Sequence, residues 1–218
     1  MDYADDTKTV SRIMQVKNTI PIQQASLAKM VDEIKACRLC EKQLALGPNP
    51  IVQLSVNAKI LIASQAPGSV AHASGIPFLD KSGERLREWM GLDELAFYDP
   101  NNVAILPMAF CYPGRASSGD LPPSKECAAM WRSKVLGHLP NVLLTLLVGQ
   151  YSQRWHLSDN PYATLTETVM NWRTFGPSVM PLPHPSPRNN VWLAKNPWFE
   201  EALVPILRKR VAATVTSV

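Results

Sequence analysis

An α/β domain built on a parallel sheet is the fold this sequence predicts, and three observations predict it. Short, continuous apolar runs near residues 59–63, 102–108, 141–148 and 179–182 have strand length. Stretches with helical spacing separate them. The two unusual motifs of the chain, Gln65-Ala66-Pro67-Gly68 and His184-Pro185-Ser186-Pro187, each follow such a run directly. Continuous apolar strands alternating with helices indicate a sheet buried on both faces. In such sheets the site lies outside the carboxyl ends of the strands, which is where both motifs stand.

The elements follow in order. Residues 1–24 are polar, lack core periodicity and read as a flexible or loosely docked arm, leaving 25–218 as the domain. Ser26 is placed to cap a helix through about residue 37, with Leu27, Met30, Val31 and Ile34 at helical spacing. The first strand, 59–63, ends in a turn at 64–68. A helix over 82–90 puts Leu86, Trp89 and Met90 on one face. The second strand, 102–108, enters a loop rich in Gly and Pro over 112–123, and a helix follows over 125–139. The third strand, 141–148, passes through Gly149 into a helix containing Gln150, Gln153 and Trp155. A further helix is read over 166–173. The fourth strand, 179–182, leads into the His184 motif. A closing helix over 196–211 carries Pro197 near its first turn.

Length and composition bound the class. The 218 residues suffice for one domain with a substantial core, and are too few for two full-sized ones. With 46% hydrophobic and 18% charged residues, wholesale disorder and a coiled coil are excluded. The formal charge of +4 suits a polyanionic ligand without demanding one. The longest apolar stretch, 142–148, is far short of a membrane helix, and the N-terminus carries three aspartates and no signal-like apolar region. A cytoplasmic protein is expected, and there cysteines are free thiols or metal ligands more often than disulfides.

All four cysteines invite a common role. Cys37 and Cys40 form a Cys-x2-Cys pair able to reach one metal centre from a single turn, and Cys111 and Cys127 complete a four-thiolate set for zinc or a [4Fe–4S] cluster. Four unrelated buried thiols are the alternative.

The ordered set of motifs resembles the uracil-DNA glycosylase superfamily, closest to its iron–sulfur branches. The residues that carry it are Cys37-x2-Cys40, Ala66-Pro67-Gly68, Pro77-Phe78 with Ser82-Gly83, Cys111, Cys127 and His184-Pro185-Ser186. The resemblance implies a central four-stranded parallel sheet, a [4Fe–4S] cluster on the cysteines rather than zinc, and a monomer that excises uracil or another deaminated base from DNA. By the same resemblance Gln65, Ala66, Pro67 and Gly68 approach the sugar and leaving group. Phe78 stacks on the extruded base and His184 hydrogen-bonds its carbonyl. Ser186, Pro187 and Arg188 contact DNA, the last two where the superfamily wedges the duplex.

The chain departs from the family pattern at two positions. Gln65 stands where iron–sulfur members often have a carboxylate. Pro107, with no side-chain amide, stands where many have an asparagine that reads uracil. Asp80 falls one residue nearer to Phe78 than the aspartate of another iron–sulfur branch.

Breaking an N-glycosidic bond makes the sugar positive and the departing base negative. Asp80, His184 and Phe78 can serve the sugar, the base carbonyl and the stacking slot, with Gln65 positioning water. Asp80 reads equally as a cap for the following helix, and Phe78 as a core aromatic. Arg85, Arg87, Arg188 and Lys195 are candidate phosphate contacts. His72 reads as an exposed loop residue, His138 and His156 as structural, and Trp192, Trp198 and Phe199 as core. Two other functions fit the same motifs: a catalytically silent nucleic-acid-binding protein, favoured by Gln65 and Pro107, and a cluster-bearing interaction module.

Overall fold

The structure, a computed structural model, describes residues 21–117 and 119–217. Four parallel strands form its centre: β1 (Ile60–Ala63), β2 (Val103–Ile105), β5 (Leu144–Val148) and β6 (Val179–Leu182), in the order β2-β1-β5-β6. Ile60 is in register with Val103 on one side and Leu144 on the other, and Thr145 with Val179. A short antiparallel hairpin, β3 (Arg115–Ala116) and β4 (Gly119–Asp120), stands apart from the sheet. Pro181 is tolerated in β6 because this strand lies at the sheet's edge, where a missing N–H costs no ladder bond. At the other edge Gln53 covers β2, exchanging two backbone bonds with Ile105.

Alternate strand residues feed two cores, as the two-residue period of a strand requires. Ile60, Ile62, Val103, Ile105, Leu144 and Leu146 pack on one face with α3 (Lys81–Met90) and α9 (Val204–Thr216). Leu61, Ala104 and Leu106 pack on the other with a helix over 21–35 (α1) and α5 (Lys125–Leu136), through Ile34, Trp131 and Val135. Completing the helices are α2 (Ser69–Ser74), α4 (Glu94–Tyr98), α6 (Gln150–His156), α7 (Leu165–Met170) and α8 (Asn190–Lys195). No helix among the described residues is long and apolar enough to cross a membrane.

Several boundaries differ from the sequence expectation. The expected arm lies outside the described residues over 1–20, while 21–24 already belong to α1. Ser26 is therefore inside this helix and does not cap it; its hydroxyl sits 3.0 Å from His138 Nε2. The expected closing helix, 196–211, is a π-helical turn at Phe199–Leu203 running into α9, which has Pro205 in its first turn and continues to Thr216. The segment 68–75, read as a loop, is largely α2, and His72 on it is half-buried with its ring tilted toward Tyr112.

Candidate active site and cysteine cavity

Beyond β1 the chain crosses to β2 on one side and later returns to β5 on the other, so the loops leaving β1 and β5 diverge. The crevice this opens outside the carboxyl ends is a cleft of about 550 Å³. Gln65, Ala66, Pro67 and Gly68 enter it from β1, Pro107 from β2, Gln150 and Tyr151 from β5, and His184 from β6. Phe78 and Asp80 join them ahead of α3, and Ser186, Pro187 and Arg188 follow His184 along the rim. The residues that the resemblance assigns to the base, sugar and DNA thus line one cleft, whereas the candidate phosphate contacts Arg85, Arg87 and Lys195 do not.

His184 is oriented by its own loop. Its Nδ1 accepts the backbone N–H of Ser186 at 3.2 Å, which places the ring proton on Nε2 in the neutral form. Burial pulls its pKa below the ordinary histidine value, against the opposing pull of Asp80 and then Asp120. A neutral imidazole holding a donor therefore faces the cleft at neutral pH. Asn189 donates to the His184 carbonyl at 2.6 Å and fixes the backbone of the motif.

Asp80 takes the capping role read for it and also lines the cleft. It is the N-cap of α3, with Oδ1 accepting Gly83 N–H at 3.0 Å. Its other oxygen points toward Gly68, where a methyl group on that glycine would lie 3.8 Å away. Capping fixes the carboxylate in place while leaving one oxygen to the cleft.

Phe78 too has two faces. It packs on the first core, edge-on to Phe97 with ring centroids 6.4 Å apart, and also lines the cleft. Its φ of 56° is left-handed, a strained conformation for a bulky side chain that costs about 1–3 kcal/mol. Three contacts hold it. Tyr98 donates its hydroxyl to the carbonyls of Pro77 and Phe78, both at 3.1 Å, and Arg87 reaches the Phe78 carbonyl at 3.4 Å. Gly83 completes the fit, because a Cβ there would lie 1.7 Å from the Phe78 carbonyl oxygen.

Two arginines expected at phosphates are instead bonded within the protein. Arg87 holds the Phe78 turn and lies over the rings of Phe97 and Tyr98. Arg85 donates to the carbonyls of Pro185 and Ser186 and to Asn190, tying α3 to the His184 loop. Arg188 remains exposed on the rim. Beneath the cleft, Arg132 is wholly buried and donates to the carbonyls of Leu106 and Pro107, both at 3.1 Å. Its guanidinium also meets His156 Nε2 and lies 5.0 Å over the Trp155 ring. Burial, then the neighbouring Arg132 charge, pushes His156 down to about 3, so it serves as a neutral acceptor.

The four cysteines also converge. Cys37, Cys40, Cys111 and Cys127 line one small apolar cavity beside the second core, separate from the cleft. Phe110 N–H points to Cys127 Sγ at 3.4 Å, and burial raises Cys127 to about 12 and Cys111 above the ordinary thiol value. Among the described residues, no three His, Cys, Asp or Glu gather closely enough to hold a single metal ion.

The family model described as the uracil DNA glycosylase superfamily matches residues 51–208. The chain belongs to that superfamily. Uracil DNA glycosylase superfamily members are generally DNA glycosylases, hydrolases acting on DNA, and the match spans every strand of the sheet and the whole cleft. Cleft residues that sequence reasoning missed are Tyr112, Arg115, Asp120, Gln150 and Tyr151. None belongs to a motif. The one available signal was an acid, Asp120, inside a Gly- and Pro-rich stretch bounded by two cysteines.

Proposed function

We propose that this protein is a monofunctional DNA glycosylase, a cytoplasmic monomer that hydrolyses the N-glycosidic bond of uracil or a related deaminated base in DNA. The observation that carries the reading is His184, its Nδ1 engaged by Ser186 N–H so that Nε2 holds the ring proton, lining one cleft with Asp80. As the bond breaks, its electron pair leaves with the base. His184 stabilises the charge growing on the base oxygen, without needing to lose a proton. Asp80 stabilises the cationic sugar, Phe78 stacks on the extruded base, and Gln65 orients the water that completes hydrolysis at C1′. Arg188 on the rim suits phosphate contact or insertion into the duplex.

The four cysteines lining one apolar cavity supply the four-thiolate donor set of a [4Fe–4S] cluster, with a four-cysteine zinc site as the alternative. When bound, such a cluster would tie together the segment after α1, the segment after β2 and the start of α5.

Release of free base from single-stranded and duplex oligonucleotides bearing uracil, hypoxanthine or xanthine tests the activity. Wild type should release at least one of them, and His184→Ala should slow release by about 10²–10³, as for a lost oxyanion donor. The second reading is a silent DNA-binding member of the superfamily. It is favoured by Pro107, which lines the cleft but offers no amide to read a base. Salt-sensitive DNA binding without release from any substrate would establish that reading instead.

A further inference from the structure

The cleft contains a second acid that no motif announces. Asp120 lies on β4, in register with Arg115 across the hairpin, and lines the cleft with Tyr112 and His184. Among the described residues the only ion pair is Lys81–Glu84, so no described cation, its cross-strand neighbour Arg115 included, lies within ion-pair distance of the Asp120 carboxylate. Tyr112 lines the cleft beside it, its pKa raised by burial and then by this carboxylate. Asp80 and Asp120 line the cleft with His184 and lie near enough to oppose the lowering of its pKa.

The hairpin that carries Asp120 is seated on the His184 loop. Gly119 has φ of 153°, and the place its Cβ would take is filled by Arg188 Nη1. Backbone of the hairpin and guanidinium of the rim are thus in direct contact, which brings the hairpin carrying Asp120 against the His184 loop.

We propose that Asp120 is a second catalytic carboxylate, which with Asp80 surrounds the sugar of an extruded nucleotide with negative charge. The assignment rests on the glycosylase reading of the cleft and follows from charge. A carboxylate beside the base would oppose the negative charge growing there, whereas beside the sugar it favours the cation. Neither acid forms a bond. The base–C1′ bond breaks with its electron pair leaving on the base, and both carboxylates act through space.

The test compares binding of two duplex oligonucleotides, one with a pyrrolidine abasic analogue, cationic at neutral pH, and one with a neutral tetrahydrofuran analogue. Wild type should prefer the cation. Asp120→Asn should reduce the preference about tenfold, the scale of one nearby charge in a partly dry cleft, while leaving affinity for the neutral analogue unchanged or raised. Asp80→Asn should also reduce it, and the double variant should nearly abolish it. Asp120 is exposed and Asn has the same shape, so folding is not at stake. Base release at saturating DNA should fall in parallel. An unaltered preference in Asp120→Asn overturns the proposal even if wild type is active. An Asp120-dependent preference in a protein that releases no base supports the charge assignment and overturns the glycosylase reading.

Discussion

The catalytic role proposed for Asp80 sits beside its capping of α3, and substitution can separate the two. Asparagine keeps an oxygen for Gly83 N–H and removes the charge; alanine removes both. Asp80→Ala should therefore lose about 1 kcal/mol in a urea melt, and Asp80→Asn well under about 0.5 kcal/mol. Both should slow base release by about 10² in single-turnover assays. If release falls only as far as stability does, the residue is a cap alone. At this scale the sequence was informative wherever a motif fixed backbone and side chain together, as for Gln65, Phe78 and His184. It was silent where a role depends on a partner distant in the chain. Arg85 and Arg87 are charged residues on a helix, and nothing in their spacing reveals that their partners are the carbonyls of the His184 loop and of Phe78. Asp120 reaches the cleft on a hairpin with two residues per strand, too short to leave a pattern, and Tyr112 from the irregular segment before it.

Among the elements, the four strands were legible because each is an apolar run that must be buried on both faces. The bounds of β6 agree with the expectation, while β2 and β5 are shorter at their ends. Short helices were not legible. α2 and α4 have 6 and 5 residues, too few for the 3.6-residue period to repeat convincingly. The π turn before α9 breaks the expected closing helix, a change of winding that hydrophobic spacing does not encode. The cysteine cavity joins the segment after α1, the segment after β2 and the N-terminal turn of α5, with Cys127 near the start of that helix. Anaerobically purified protein should be brown with about four iron and four sulfide per chain. Cys127→Ala should lower the melting temperature along with the iron content. Stoichiometric zinc under the same preparation would rule the cluster out.

For the whole molecule, acid stability follows from histidines buried neutral. The unfolded chain protonates His156 near 6.5, the folded chain only near 3, so stability must fall as pH drops through that window. His184 acts in the same direction. His156→Gln keeps an acceptor for Arg132 and removes the titration. Its melting temperature should fall less than that of wild type between about pH 6.5 and 5, above the carboxylate range. Identical slopes for the two proteins would clear His156 of this role. The overall layering was readable from strand and helix order, because a sheet buried on both faces leaves few arrangements. The buried Arg132 was not, since a cation in the second core contradicts the hydrophobic pattern that locates the core.

Arg132 also divides the cleft by timescale. The carbonyls of Leu106 and Pro107 hang from a side chain of α5 that is 0% exposed, so the floor cannot lift without uncovering a guanidinium in the core. Amides there exchange with solvent only through openings close to global unfolding. The opposite wall, β3–β4, has two residues per strand and rests on an exposed arginine, so it opens locally at small cost. A nucleotide entering the cleft would meet a floor that is fixed for the life of the folded state and a wall that yields and recloses many times within it.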